Sequence, residues 1–326
     1  MTQYLLHDRI KENYDLNIEK WDHYQGSYKL YTNRGIKLVK VWNDNETLSS
    51  AFHLREQLAY SGFRTIDRFI RTTSGEPYIL NGDEYMVITD WIDGRIPQVT
   101  NKDDLKRVSK QIAKLHIGLA KIRVDQDWEP WSKQFDHGLQ HLHQIKDKII
   151  TKGKKNSFDE AILTHIDSQI EQIKQSILMA DKVEKNHFRS GRIPQWCHGN
   201  LDLKWFRIDQ FDVPWLIHFG IPVYDIPAYD VAKFLVHLYL KANYQEEPVF
   251  QFLNTYQEFI PLEKEEKLWI LTYITFPHHL WKFLYIRYLS RFSQTRFANE
   301  QQYFQLIDLQ KHHERLYRSL YRYFQL

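Results

Sequence analysis

Trp196-Cys197-His198-Gly199-Asn200-Leu201-Asp202-Leu203-Lys204-Trp205-Phe206, followed shortly by Leu216-Ile217-His218-Phe219-Gly220, is the stretch on which the reading of this chain turns. It holds a His-Gly turn, a polar residue directly after it, a short loop, and a hairpin ending in an apolar-X-Phe-Gly step. The polar groups it offers are modest. Asn200 carries an amide, which takes up no proton near neutral pH; it positions a hydroxyl or bonds its own turn. Asp202 keeps a carboxylate in a loop. Trp205 has no oxygen, and the ring nitrogen of His218 is a poor ligand for a hard ion such as Mg²⁺.

Working outward, the composition sets limits. The chain has 326 residues, of which 43% are hydrophobic, enough for a large core in one two-lobed unit or two domains. The formal net charge of +3 makes no general case for a nucleic-acid partner. One cysteine, Cys197, excludes an intrachain disulfide and points to a reducing compartment during folding. The first residues show no basic segment followed by an apolar run, and no uncharged apolar run is long enough to span a bilayer. The expectation is a soluble protein made in the cytoplasm. Aromatic residues reach 15%, which suits either partner surfaces or a ring-rich core.

Taken in order, residues 1 to about 25 read as a helix or two with a polar face. An alternating run through Tyr28, Leu30 and Tyr31, a turn at Asn33-Arg34-Gly35 and the apolar run over residues 36–42 predict a hairpin. Lys40 lies in the second run, where a lysine points to solvent or reaches a phosphate. Residues 46–61 follow a helical period through Leu48, Phe52, Leu54 and Leu58, closed by Gly62, with Glu56 inside. Strand candidates follow at residues 69–72, 78–80 and 85–92. Asp93-Gly94 then turns the chain. This α+β pattern with antiparallel pairing gives way to helices. Asn101 is the expected N-cap of a helix carrying Leu105, Val108, Ile112, Leu115 and Leu119. A later helix places Ile162, Ile166, Ile170, Ile173 and Ile177 on one face. Pro248, Pro261 and Pro277 punctuate the C-terminal helices.

Two other clusters invite function. His137 and His141 are four residues apart with His143 close by, yet no third ligand of matching kind accompanies them, so they read as surface histidines. The run from Lys311 to Phe324 interleaves bases and rings like a nucleic-acid surface. As a helix it puts Leu316, Leu320, Tyr323 and Phe324 on a core face and Arg315, Arg318 and Arg322 in water.

The opening stretch resembles the catalytic loop and metal loop of kinases. There an Asp after His-Gly accepts the substrate proton, an Asn five residues on holds a metal ion, and an Asp before Phe-Gly holds a second. Those places here read Asn200, Trp205 and His218. Further pieces occur in the same order: Gly35-Ile36-Lys37-Leu38-Val39-Lys40, the segment from Tyr85 to Arg95, Ile112-Ala113-Lys114-Leu115-His116, and Asp225-Ile226-Pro227-Ala228-Tyr229-Asp230-Val231-Ala232. Together they resemble the CotS-type spore coat proteins of endospore-forming bacteria, including the YutH-like coat-associated proteins. That group is a degenerate branch of the aminoglycoside/choline-kinase-like fold.

The resemblance implies an α+β, two-lobed protein-kinase-like fold. A small antiparallel-sheet N-lobe would span residues 1–94 and a larger, mainly helical C-lobe residues 95–326. It implies an ion pair at the nucleotide site between Lys40 and Glu56, with Glu46 as a competitor for Glu56. Asn200 and Asp202 stand at the degenerate catalytic-loop positions, and Trp205 and His218 occupy the metal-ligand positions, so no metal is expected. The implied function is that of a spore-coat-associated pseudokinase acting in coat assembly. It would be made in the mother-cell cytoplasm and located in the spore coat. Its partners would be other coat proteins, with no nucleic acid, no membrane insertion and no cofactor. The alternative is an ATP-dependent small-molecule kinase that uses Mg-ATP and works through Asp202.

Overall fold

The structure is a computed structural model that describes residues 3–24, 27–123, 126–190, 194–220, 222–290 and 300–326. The chain divides into two compact units, Met1–Val124 with Gln195–Tyr224, and Asp125–Pro194 with Asp225–Leu326. This division does not fall at residue 94, because the helix that follows the segment from Tyr85 to Arg95, whose end is the expected hinge, and the His198 stretch join the first unit.

The first unit opens with α1 (Gln3–Tyr14), β1 (Ile18–Tyr24), β2 (Ser27–Thr32), β3 (Gly35–Trp42) and α2 (Asn45–Tyr60). It continues with β4 (Phe69–Ile70), β5 (Ile79–Asn81), β6 (Glu84–Asp90) and α3 (Lys102–Leu119). The strands form an antiparallel sheet in the order β1-β2-β3-β6-β4, with β5 also on β6. Alternation along β6 decides what each face meets. Met86 and Ile88 join Leu30 and Val39 against Ile10, Tyr14 and Leu16, from α1 and the residues that follow it. Val87 points the other way and meets Leu48 and Phe52 of α2 with Phe69. Lys40 is in register with Val87, so it shares the face that α2 covers. This register sends the lysine inward.

The helix expected through residue 25 is therefore corrected. Among the described residues of this stretch only Gln3–Tyr14 is helical, and Ile18–Tyr24 is an edge strand. A bulge between Ile18 and Lys20 breaks its two-residue period, and Glu19, Lys20 and Asp22 give it the charged character that protects sheet edges.

α2 begins at Asp44, whose carboxylate accepts from Glu46 N at 3.3 Å and Thr47 N at 2.8 Å. α3 begins at Asn101, whose Oδ1 accepts from Asp103 N at 3.0 Å and Asp104 N at 3.2 Å. The unit is completed by β7 (Gln195–Cys197), a 3₁₀ turn at Leu203–Trp205, the hairpin of β8 (Phe206–Ile208) and β9 (Pro214–Leu216), and β10 (Val223–Asp225), which pairs with β7. Backbone bonds between Arg95 and Ile208, at 3.0 and 2.9 Å, tie the hinge segment to this hairpin. The approach is close at Gly94. Its φ is +143°, and a Cβ there would lie 2.5 Å from Ile208 O.

The second unit is helical: α4 (Trp131–Ile150), α5 (Ser157–Ser190), α6 (Pro227–Lys241), α7 (Glu247–Gln257), α8 (Lys264–Thr275), α9 (His278–Tyr288) and α10 (Glu300–Tyr323). Ile162, Ile166, Ile170 and Ile173 of α5 are buried, as their spacing requires, and Ile177 is half-buried. On and just beyond α10, Leu316, Leu320 and Phe324 are buried and Tyr323 is half-buried, while Arg315, Arg318 and Arg322 are exposed. The basic, ring-rich run is thus a core helix with a solvated face. Many rings lie in the core, Trp131 and Trp269 with centroids 4.7 Å apart among them. His137 and His143 are exposed, and His141 stacks on Trp281. No helix of the described residues is long and apolar enough to cross a membrane.

Candidate functional site: a clamp across three carbonyls

Lys40 of β3 and Arg55 of α2 converge on one carboxylate, Asp67, in the loop between α2 and β4. Lys40 Nζ donates to Asp67 Oδ2 and also to Ile217 O at 2.9 Å. Arg55 Nε donates to Asp67 O at 2.9 Å and lies 3.4 Å from Asp67 Oδ1. Arg55 Nη1 donates to Ala51 O at 3.0 Å and Nη2 to Phe219 O at 2.7 Å. His198 fills the remaining place: its Nε2–H donates to His218 O at 2.6 Å, while Asn200 N–H donates to its Nδ1 at 3.2 Å, which fixes the tautomer. Three successive carbonyls, those of residues 217, 218 and 219, are therefore each held by a different side chain. The donors come from β3, the His-Gly turn and α2.

The electrostatics of this cluster are those of a closed interior. Arg55 is 1% exposed and Asp67 3%. Burial pushes the Asp67 carboxyl up, but Lys40 and Arg55 hold it below its ordinary value. Burial pulls both cations below their ordinary values, while Asp67 pulls them back up. Two cations face one anion, and the carbonyl dipoles supply further negative potential. His218 is pushed down to about 4 by burial and by Lys40, so it stays neutral near pH 7 rather than adding a third cation.

The expected pairing of Lys40 with Glu56 is corrected by this geometry. Adjacent residues on a helix point about 100° apart. Arg55 takes the inward place on α2, and Glu56 faces outward, bonded to Arg68 at 2.8–3.0 Å and to Arg71 at 3.4 Å. Glu46, in the first turn of α2, is exposed. Lys40 itself neither points to solvent nor stands open to a phosphate.

The other sequence candidates take structural places. Gly199 turns the chain with φ +81°, and Asn200 is exposed. Asp202 caps the 3₁₀ turn: its Oδ1 accepts from Lys204 N at 2.9 Å, and Lys204 Nζ lies 3.4 Å from its Oδ2. Trp205 and His218, where the sequence led to metal-ligand positions being expected, stack on each other with centroids 4.1 Å apart and planes 30° apart. Among the described residues no three His, Cys, Asp or Glu side chains converge as metal ligands. An indole and a neutral imidazole in face-to-face contact do not fit Mg²⁺, which requires oxygen ligands in octahedral array.

Beside the clamp, between the end of β6 and the β8–β9 hairpin, lies a cavity of about 20 Å³ whose lining includes Lys40, Asp67, Thr89, Trp91, Arg207 and Ile217. That is room for about one water; small-molecule sites run to roughly 300–1,000 Å³. Arg207 is folded back onto its own loop, donating to Lys204 O at 2.9 Å and Phe206 O at 2.8 Å. Tyr24 meets Trp91 edge-on at 4.9 Å, and Lys29 Nζ sits 3.9 Å over the Trp91 ring. Arg55, Asp67, Arg207 and Trp91 went unread in the sequence. Arg55 left a signal, since with Leu48, Phe52 and Ala59 it falls on one face of α2. A charge on a buried stripe demands a buried partner.

In the second unit, Asp225 of the Asp-Ile-Pro-Ala-Tyr-Asp segment accepts from Trp131 Nε1 at 2.9 and 3.0 Å and from Trp128 Nε1 at 3.0 Å. Burial raises its carboxyl to about 6.

With this geometry in hand, the class of fold is clear. The chain has a kinase-like phosphotransferase fold, with a small antiparallel-sheet lobe and a larger helical part. It is similar to an aminoglycoside phosphotransferase from Alicyclobacillus acidocaldarius at 18% identity and a TM-score of 0.78, over 95% of this chain and 93% of that one. A spectinomycin phosphotransferase in complex with ADP and spectinomycin matches at 13% identity and a TM-score of 0.65, over 96% and 99% of the two chains. The choline kinase LicA from Streptococcus pneumoniae matches at 13% identity and 0.55, over 94% and 97%. No protein-family model matches the chain.

Proposed function

We propose that this protein is a catalytically inactive member of the kinase-like fold, a pseudokinase that acts through assembly. The observation that carries this reading is the wiring of the clamp: Lys40 is bonded to Asp67 and Ile217 O, and the places expected to hold the metal ligands carry a stacked Trp205 and His218. Phosphoryl transfer depends on metal and cation stabilisation of the phosphates, so losing both metal ligands costs many orders of magnitude in rate. Lys40 is, in this reading, a structural lysine, and Asn200 and Asp202 are loop residues. Mg-ATP is not a cofactor.

The finer reading, a spore-coat-associated protein with other coat proteins as partners, is supported by the ordered resemblance of the Lys40, hinge, His198 and Asp225 segments to the CotS-type proteins. It is tested by following a fluorescent fusion through sporulation in the organism that carries the gene. A fusion that stays diffuse in the mother cell counts against it.

The central test is calorimetry with ATP and ADP, with and without Mg²⁺, at protein concentrations that would reveal millimolar binding. No heat of binding is expected. The names of the matched structures favour a second reading, an ATP-dependent small-molecule kinase working through Asp202. Turnover in the wild type that vanishes in Asp202→Ala would establish that reading and remove the first.

A further inference from the structure

A groove of about 680 Å³ lies in the second unit, where α5, α8 and the C-terminal end of α10 meet. Its lining is largely apolar, with Val183 and Phe324 buried at its base and Leu268 and Tyr317 half-buried. Three lysines also line it: Lys182 of α5 and Lys264 of α8, both exposed, and Lys267 of α8, half-buried. Among the described residues none of the three has a carboxylate partner; Lys267 Nζ instead lies 6.0 Å from the centre of the Phe324 ring. Other lysines of the same unit do find acids: Lys146 pairs with Asp167, Lys152 with Asp159 and Lys311 with Asp308. The groove thus joins an apolar bed to a rim that carries three lysines, with Leu326 also on the lining.

We infer that this groove is a binding site for a single-chain amphiphilic anion, a long-chain fatty acid, with the acyl chain on the apolar bed and the carboxylate among Lys182, Lys264 and Lys267. The volume falls in the range of small-molecule sites, which are concave, mostly apolar and carry a few placed polar groups, commonly between helices. From Tyr317 on α10 to Phe324 just beyond it the groove spans seven residues, about 10 Å at helical rise, which suits an extended chain better than a compact anion. Lysine is a point charge on a flexible stem, so three of them gather around a mobile carboxylate while their methylenes extend the apolar wall. The groove shares no residue with the clamp, so the proposal stands whether or not a nucleotide binds.

The test uses dodecanoate, below its micelle concentration, titrated into the full chain by calorimetry, with dodecyltrimethylammonium and acetate as companions. Saturable one-to-one binding of dodecanoate is expected, with no binding of the cationic chain and none of acetate. The triple variant Lys182→Glu/Lys264→Glu/Lys267→Glu is expected to bind at least tenfold more weakly and to melt at the wild-type temperature. Absence of saturable binding, equal binding of the cationic chain, or a triple variant that binds like the wild type would each overturn the site. An acidic amphipathic peptide that binds where dodecanoate does not would overturn the ligand class and make the groove a protein-docking surface.

Discussion

Replacing Asp67 by Asn tests the clamp directly. The change keeps the shape of the side chain and removes the negative charge between Lys40 and Arg55. Arg55 is 1% exposed and the Lys40 side chain 16%, so water cannot take over the lost compensation. Removing one partner of a buried ion pair destabilises by about 3–5 kcal/mol, because a charge is left without its counter-ion. Lys40 can shed its proton in response, which places the expected cost toward the lower end of that range. For a unit of this size each kcal/mol moves the midpoint by about 2–4 °C, so Asp67→Asn is expected to lower Tm by roughly 6–20 °C.

The internal standard is Glu56→Gln. Glu56 bonds Arg68 and Arg71, whose side chains are 53% and 52% exposed, and such pairs contribute less than about 1 kcal/mol. Urea unfolding followed by tryptophan fluorescence compares the two variants with wild type. Asp67→Asn should shift the midpoint at least three times as far as Glu56→Gln. The opposite order would mean that Lys40 pairs with Glu56 in solution, and the clamp would be wrong. The pH dependence has a definite sign. The Asp67 carboxyl is held below its unfolded value, so its contribution is present above the ordinary aspartate range and is lost as pH falls through the folded value. The Asp67→Asn variant lacks that acid-side slope.

Three further outcomes are expected. His218 has a folded pKa of about 4 against an ordinary 6.5, so the stability it holds is complete above pH 6.5 and fades toward pH 4, by up to roughly 3 kcal/mol; His218→Phe should flatten the urea midpoint between pH 7 and 4.5, and an unchanged slope would locate the acid sensitivity elsewhere. Gly94→Ala sets a Cβ 2.5 Å from Ile208 O at a φ of +143° and should cost about 2–3 kcal/mol, more than Gly75→Ala, where φ is +92° and nothing lies within 4 Å; equal costs would show that the hinge and hairpin separate freely. The triple change Asn200→Asp/Trp205→Asn/His218→Asp restores the ligand types of a kinase, yet calorimetry should still detect no Mg-ATP, because Lys40 and Arg55 remain bonded inward; millimolar binding or better would show that only the metal ligands were missing.

How much of this was legible in the sequence follows from the range of each interaction. The β2–β3 hairpin was written in Asn33-Arg34-Gly35, where Gly35 supplies φ +81°. The bounds of α2 and α3 were written in caps and in a three- and four-residue period. Those signals are local, and the structure keeps them. β1 was not legible, because a bulged, charged edge strand of seven residues has no apolar alternation to read. The lysine clamp shows a different limit. Order and spacing identified the strand and the helix, but not which of two adjacent helical residues faces the strand. Arg55 and Glu56 differ by one step, and only the apolar stripe through Leu48, Phe52 and Ala59 marks Arg55 as the inward one. Asp67 left no such mark, since its role depends on a loop folding under α2, a contact with no period in the sequence.

The physical meaning of the rewiring lies in where the donors point. A kinase-like site works because its lysine and its metal loop face a space that phosphates and cations fill, each stabilising the other. Here the donors of the clamp are turned onto the protein. Lys40 takes Asp67 and Ile217 O, Arg55 takes Asp67 O, Ala51 O and Phe219 O, and His198 takes His218 O. An inward Arg on α2 would repel both a site lysine and a metal ion if nothing stood between them. It becomes tenable once Asp67 stands between the two cations and the metal loop offers carbonyls instead of a carboxylate. In the proposed reading Arg55, Asp67, Trp205 and His218 act as one set, with Lys40 and Arg55 meeting on Asp67 and the Trp205 and His218 rings stacked on each other. In the pseudokinase reading proposed above, these inward contacts serve the shape of the fold rather than its chemistry.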